Sequence, residues 1–411
     1  MVLSGVLFIF SFLLWSGTWR GVGQPILVTA VESPALSAVR WGAGGLVALA
    51  TVLLVDSLLK KRGTLWRILK PGFVVPACLG FAWIVLLVIR VATLQATPEP
   101  RIDVFVTNTF ACDYLLAGNN PYAAWYPDIY EGASGYAPGF FYWPTYLYWA
   151  TPFRALFEDV RFATLAADLL VSGLLLVAGI KLGLSRPAAA LVPLVWLSHP
   201  VSLMVLELAW IDPVLILGIA GTALCLILRR WLALGIVLGL VAATKQYGGL
   251  VGLLSIAAVF AVQRKATPRV VVSAAVTWVA MLGPYVLLDW RSLYERTVGV
   301  YIHTPMRPDA LSLVAMIRNE WGVEVPGFVL LPVYLAITIA ACVWLARSDR
   351  GLHRWAGVLA LCYGAIFLLG KLAFCNYYYV VAFLVLLATL LSVARDLGQS
   401  KQTGLAMEEA S

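Results

Sequence analysis

Runs of about 18 or more apolar residues, interrupted by short polar or basic punctuation, recur along the chain. They predict spans near 3–19, 41–59, 74–95, 163–181, 188–206, 211–228, 231–246, 248–262, 270–288, 327–345, 354–371 and 376–394. Runs this long and uniformly apolar exclude the alternating pattern of barrel strands. The predicted class is therefore all-α, a polytopic transmembrane helix bundle of about twelve spans. One apolar stretch is set apart: "YWPTYLYWATPFRAL" (142–156) is short, holds Pro144, Pro152 and Arg154, and is dominated by Tyr and Trp. It reads as an interfacial or re-entrant helix. Two outer loops follow, 96–162 including that helix, and 289–326. The first is far longer than neighbouring helices need for a connection. The chain thus divides into an N-terminal hairpin with a basic loop (1–73), a core (74–394) and a tail (395–411). The opening apolar run lacks a basic start and a small-residue cleavage site, and reads as a retained first span. No repeat and no inverted halves are evident.

Composition agrees: 62% of the 411 residues are hydrophobic and 12% charged. The net charge of +8 would suggest a nucleic-acid partner in a soluble protein, but here it follows the topology. Basic clusters at Lys60, Lys61, Arg62, Arg67 and Lys70, at Lys181 and Arg186, at Arg229 and Arg230, at Arg264, Lys265 and Arg269, at Arg347, Arg350 and Arg354, and at Arg395 and Lys401 mark the inner side. Both termini then lie inside, and no nucleic acid is expected. The six cysteines show no paired C-x-x-C spacing, so zinc is not expected, while a bridge between Cys112 and Cys375 stays open. There is no phosphate-cradling glycine motif and no H-E-x-x-H, so no cofactor and no metal are expected.

On this topology the isolated polar residues gather at the outer ends of spans or in the outer loops: Arg90, Asp103, Asp113, Asp128, His199, Glu207, Asp212, Lys245, Gln246, Arg307, Asp309, Lys371 and Asn376. Ionisable groups near a bilayer are costly, and a convergence of them at one depth points to a site. Asp103 opens a helix-like stretch ending at Gly118; taken alone it reads as a helix-terminal carboxylate, and its rival role is a general base. Asp113, ten residues on, faces elsewhere around the same helix. Asp212 before Pro213 reads as a cap, Glu207 is harder to explain structurally, and His199 before Pro200 reads as an end-of-helix histidine. Lys245 reads equally as a snorkelling side chain or a phosphate contact, with Arg307 and Lys371 as further cations at the same level. Residues 120–149 are dense in aromatics, including Tyr122, Trp125, Tyr126, Tyr130, Tyr136, Tyr142 and Trp143, which suits an interfacial belt or a stacking platform.

An aspartate opening the first large outer loop (Asp103), "LLAGNNPY", "GYAPGFFYWPTY", the acidic turn "LELAWIDP" and "TKQYG", in that order, resemble the GT-C superfamily of integral membrane glycosyltransferases. Within it the chain looks most like bacterial polyprenyl-phosphate-sugar-dependent enzymes related to mannosyltransferases and aminoarabinose transferases, over roughly residues 74–394. The family's Y-x-x-P-P step is kept only in part, as "YAPG" and "YWP", and the N-terminal pair of spans is atypical. The resemblance implies a GT-C-like transmembrane core in a bacterial cytoplasmic membrane with its site facing outside, and Asp103 as general base. It implies a second acidic site at Glu207 or Asp212. Donor phosphate and sugar contacts are expected at Lys245, Gln246, Tyr247, Arg307, Lys371, Tyr122 and Tyr136. The implied partners are a polyprenyl-phosphate sugar donor, a glycan or lipid acceptor and membrane lipids.

A single base suffices for such chemistry. The leaving sugar phosphate is a stabilised anion, so inverting displacement needs a carboxylate for the acceptor's proton but no strong acid. Two other classes compete: a transporter or flippase of lipid-linked glycans, and a non-catalytic membrane subunit that binds glycan or lipid.

Overall fold

The computed structural model describes residues 6, 7, 9, 10, 41, 42, 44–49, 51, 71–132, 136–347 and 352–408, with backbone alone for 71–75, 352–353 and 397–408. The spans expected at 3–19 and 41–59, the basic loop at 60–70 and the last residues of the tail lie largely outside the described residues. Among these, all regular structure is helical.

Each of the ten spans expected between 74 and 394 coincides with apolar helix, but the helices differ in length. Among the described residues, five helical stretches are long and apolar enough to cross a membrane: Pro76–Ala96, Arg161–Lys181, Arg264–His303, Gly327–Ala346 and Cys375–Asp396. A sixth is formed if α5 (Arg186–Leu197) and α6 (Pro200–Glu207), bent by 53°, are counted as one span. Before them in the chain come α1 (Pro71–Ala96), α2 (Asp103–Leu116), α3 (Pro144–Phe157) and α4 (Arg161–Lys181). After them come α7 (Asp212–Ile227), α8 (Trp231–Ala242), α9 (Gly249–Val262), α10 (Thr267–Tyr294), α11 (Val300–His303), α12 (Leu313–Trp321), α13 (Gly327–Ala346), α14 (Leu352–Leu368) and α15 (Cys375–Glu408). At 1.5 Å per residue, α8 and α9 cover about 18 and 21 Å, less than the roughly 30 Å of a bilayer's hydrocarbon.

The breaks have local causes. Pro200 cannot donate a backbone hydrogen bond and holds His199 extended, which separates α5 from α6. Lys245 is extended at φ −147° and separates α8 from α9. Within α10, Asp289 is non-helical, and its carboxylate then accepts from Ser292 N at 3.1 Å and Ser292 Oγ at 2.6 Å, capping the helix that resumes. A π turn over Glu295–Gly299 follows before α11. The second outer loop was expected to open at residue 289; helix instead continues to His303.

The stretch 142–156 forms α3, whose 14 residues are too short to span. Pro144 starts it at its first position, and Glu158 in left-handed conformation ends it.

The chain separates into two compact units: residues 1–100, 168–208 and 394–411, and residues 101–167 and 209–393. The cuts fall at 100/101 and 208/209, between helices, and inside α4 and α15. In the first unit Arg90, fully buried, donates to Leu197 O at 2.8 Å and Ser202 Oγ at 3.0 Å, and pairs with buried Asp168 at 3.8 Å. Thr97 Oγ1 donates to Glu207 Oε1 at 2.8 Å in the same unit. The second unit holds a core in which Tyr122, Phe140, Tyr142, Tyr146, Leu147 and Ala150 are buried with Ala111 and Cys112 of α2.

Candidate functional site

Asp103 is the first residue of α2, and Ile102 occupies the N-cap position without a side-chain cap bond. Oδ1 accepts the adjacent Val104 N–H at 2.8 Å, and Oδ2 accepts the Tyr136 hydroxyl at 2.7 Å. The Asp103 N–H in turn donates to the Tyr130 hydroxyl at 3.3 Å. Asp103, Tyr130 and Tyr136 line a small, partly enclosed cleft with Thr107, Pro127, Asp128, Ile129, Pro138 and Phe141. Asp128 shapes its wall by accepting the N–H groups of Tyr130 and Gly132, an Asx-type turn. Burial and then the neighbouring Asp103 carboxylate hold the Tyr136 hydroxyl above its ordinary value, so it stays a donor. Tyr130 is raised by the same two causes.

Arg307 acts on this cluster electrostatically. It holds Asp309 in a two-point contact, Nε to Oδ1 at 2.9 Å and Nη2 to Oδ2 at 2.8 Å. Those bonds raise the guanidinium above its ordinary value against the effect of burial, and Tyr136 and Asp103 add to the rise. Asp309 is lowered by the same hydrogen bonds. Arg307 also stacks on Phe374, 5.5 Å from the ring centre.

Asp212 lies deeper in the same unit and is fully buried. Lys245 Nζ donates to Oδ1 at 2.9 Å, the Tyr247 hydroxyl to Oδ1 at 2.6 Å, and Asn376 Nδ2 to Oδ2 at 2.7 Å. The Lys245 ammonium also faces the rings of Tyr377, Tyr247 and Tyr142 at 4.6, 4.9 and 5.6 Å. Two expectations are overturned. Asp212 is not a helix cap, since Ile211 takes that position and no side-chain cap bond forms. Lys245 does not snorkel: at 2% exposure it is spent on Asp212 and a tyrosine cage.

Other expected ligands are also committed. Gln246 Nε2 donates to Phe141 O at 2.6 Å and Thr297 O at 2.9 Å. Lys371 Nζ donates to Thr304 O at 2.8 Å and Ile302 O at 3.3 Å, completing the carboxyl end of α11. Tyr122 is packed in the core with its hydroxyl on Tyr142 O at 2.9 Å, away from the cleft. Tyr247 spends its hydroxyl on Asp212, which leaves Tyr136 in contact with Asp103 and Arg307 within electrostatic reach of it. Of the alternative acidic positions, Asp212 belongs to the unit that carries Asp103, and Glu207 to the other. Asp113, as expected, faces away, in a two-point pair with Arg154 at 2.7 and 3.0 Å. All six cysteines are free, which removes the Cys112–Cys375 bridge.

Sequence reasoning missed Asn108, whose Nδ2 donates to Ala209 O at 3.0 Å. Ala209 has φ +56°, a left-handed conformation costly for alanine, at the turn leading to Asp212. Asn108 ties that turn to α2, and an amide beside Thr107 on the buried side of the helix was the available signal. It also missed Arg296, which donates to Pro138 O at 2.7 Å. No protein-family model, curated protein or solved structure matches the chain.

Proposed function

We propose that the chain is an integral membrane glycosyltransferase of GT-C type, in which Asp103 is the general base. It moves a sugar from a polyprenyl-phosphate donor to an acceptor hydroxyl at the outer membrane face, with inversion. The observation that carries this reading is the Asp103 carboxylate itself, half-buried on a small cleft, held at Oδ2 by Tyr136 and within electrostatic reach of Arg307. A carboxylate oxygen accepts more than one hydrogen bond, so the Tyr136 bond orients the base and leaves lone pairs for an incoming hydroxyl. Arg307 is the cation that can meet the leaving phosphate by exchanging its partly exposed partner Asp309 for it, whereas Lys245 is buried on Asp212 and Lys371 is bound to carbonyls.

Asp212 then has a supporting role. Its buried pair with Lys245 fixes Tyr142, Tyr247 and Tyr377, and two of those rings lie within the electrostatic reach of both Asp212 and the Asp103–Tyr136 pair. The twelve-span topology and an outward-facing cleft are part of the same proposal, supported by the apolar helices and by the distribution of Lys and Arg.

The test is transfer from a radiolabelled polyprenyl-phosphate sugar by purified protein. Asp103→Asn is expected to lower the rate by about a hundredfold or more, the usual range for loss of a general base. Transfer by Asp103→Asn at the wild-type rate removes Asp103 as the base. A wild-type chain that transfers nothing but moves the lipid across vesicles is a transporter.

A further inference from the structure

Residues 137–142, which follow Tyr136, form no regular helix, and among the described residues no backbone hydrogen bond within the segment holds it in place. Their carbonyls are instead taken by side chains from distant parts of the chain. Arg296 Nη1 donates to Pro138 O at 2.7 Å and reaches Ala137 O at 3.4 Å. Gln246 Nε2 donates to Phe141 O at 2.6 Å, and the Tyr122 hydroxyl to Tyr142 O at 2.9 Å. The Tyr136 ring packs edge-on against Phe141 at 5.5 Å, so anchoring Phe141 also anchors the ring that carries the hydroxyl.

The two outer anchors are joined. Gln246 Nε2 also donates to Thr297 O at 2.9 Å, and Thr297 is the neighbour of Arg296 in the π turn Glu295–Gly299. In that turn the Val300 N–H reaches back to Glu295 O, and the extra residue re-aims the side chains around it. Gly139 admits the arginine: a Cβ there would collide with the Arg296 guanidinium. Among the described residues no carboxylate lies within ion-pair distance of Arg296. A half-buried, permanently charged group is thus spent on neutral carbonyls of one irregular segment.

We infer that Arg296 and Gln246 form a clamp that holds segment 136–142 so that Tyr136 meets Asp103, which makes Arg296 a positioning residue for the base, resting on the transferase reading for its kinetic consequence. Gln246, which the "TKQYG" motif assigned to the donor, is on this account a structural partner of the loop and not a ligand.

Two measurements on the purified full-length protein test the clamp. The first is hydrogen–deuterium exchange over peptides spanning 136–142, which needs no activity. Arg296→Gln is expected to speed exchange there about tenfold with other peptides unchanged, and Arg296→Lys to restore part of the protection. Gly139→Ala, which displaces the arginine while keeping it, is expected to act in the same direction and serves if Arg296→Gln does not fold. Unchanged exchange in both variants overturns the clamp. The second is transfer kinetics in a double-mutant cycle with Tyr136→Phe. Arg296→Gln alone is expected to lower kcat about tenfold with donor KM within about twofold, and to cost less than about twofold in the Tyr136→Phe background. Costs that multiply show that Arg296 does not act through Tyr136 and overturn the positioning role. A wild-type chain with no transfer sinks the transferase reading and leaves the exchange arm to decide the clamp by itself.

Discussion

At the scale of single residues, the buried Lys245–Asp212 pair sets the sharpest expectation. Removing one partner of a buried pair leaves an uncompensated charge, which costs about 3–5 kcal/mol, whereas replacing both by apolar groups is often near neutral. Lys245→Met should therefore lower the thermal unfolding midpoint strongly, and Lys245→Met with Asp212→Leu should recover much of the loss. A double variant as unstable as the single one would mean that Tyr247 and Asn376 depend on the Asp212 carboxylate itself. Tyr136 carries a pH prediction. Its folded-state value lies above the ordinary 10.0, because burial and Asp103 disfavour the phenolate. Its contribution is thus fully present below the unfolded value and is lost only as pH rises above it, through the folded value. The Tyr136–Asp103 bond should stay intact across the neutral range and up to about pH 10, with Tyr136→Phe lowering kcat at every pH in that range. A Tyr136 resonance that titrates near neutrality would contradict it. These residues were visible in the sequence as polar interruptions, but their pairing was not. Asp212 meets partners 33, 35 and 164 positions away, and no local pattern encodes such distances. Lys245 read equally as a snorkelling lysine or a phosphate contact for the same reason: a charge between two apolar runs looks alike whether it reaches water, an anion or a buried carboxylate.

At the scale of helices, hydropathy was sufficient wherever the apolar run was long, as in α1, α4 and α13, because burying or lipid-facing side chains needs only apolarity. It fell short where charge and helix coincide. Asp289, Arg291, Glu295 and Arg296 made residues 289–303 look like a loop, yet Asp289 caps a resumed helix and the π turn carries Arg296 to the cleft segment. Half-length α8 earns its place by contact and not by span. A Cβ at Gly239 would lie 2.5 Å from Ala274 O and 2.6 Å from Thr277 Cβ, so the backbones of α8 and α10 approach as closely as glycine allows. Gly239→Leu should therefore push the two helices apart at a cost of about 1–3 kcal/mol, the range for overpacking, read as a lower unfolding midpoint. Retention of wild-type stability would mean that α8 and α10 slide freely past each other. A second element, the turn Arg307–Asp309, makes the opposite kind of prediction. Its pair is partly exposed, 27% at Arg307 and 57% at Asp309, and contributes about 1 kcal/mol or less, so Asp309→Asn should change stability little. It should also release the Arg307 fork for an anion, which lowers the donor KM in the transfer assay. A raised KM would argue that Asp309 positions Arg307 and does not compete with phosphate.

At the scale of the whole chain, everything said about an outer face depends on a parity. Between Asn119, just past α2, and Arg229, just past α7, the expected topology has three crossings: α4, the bent pair α5 and α6, and α7. Only α4 is long enough by itself; the pair is broken at Pro200, and α7 has 16 residues, about 24 Å of rise. If all three cross, Asn119 and Arg229 lie on opposite sides, the arginine inside with the other basic clusters. If one of the short ones stops halfway, both lie on the same side, and either the cleft with Asp103 faces inward or the basic turn faces out. Both positions are exposed, so a cysteine at either is reachable in the folded chain. In a background without the native thiols, Asn119→Cys should react with a membrane-impermeant maleimide on intact cells, and Arg229→Cys only after the membrane is opened. Labelling of both from outside would show that one short helix fails to cross. Labelling of Arg229→Cys alone from outside would invert the topology and place the Asp103 cleft inside, where a donor would have to be presented on the inner leaflet. The odd parity is the condition on which a lipid-borne donor and an outward-facing base can meet.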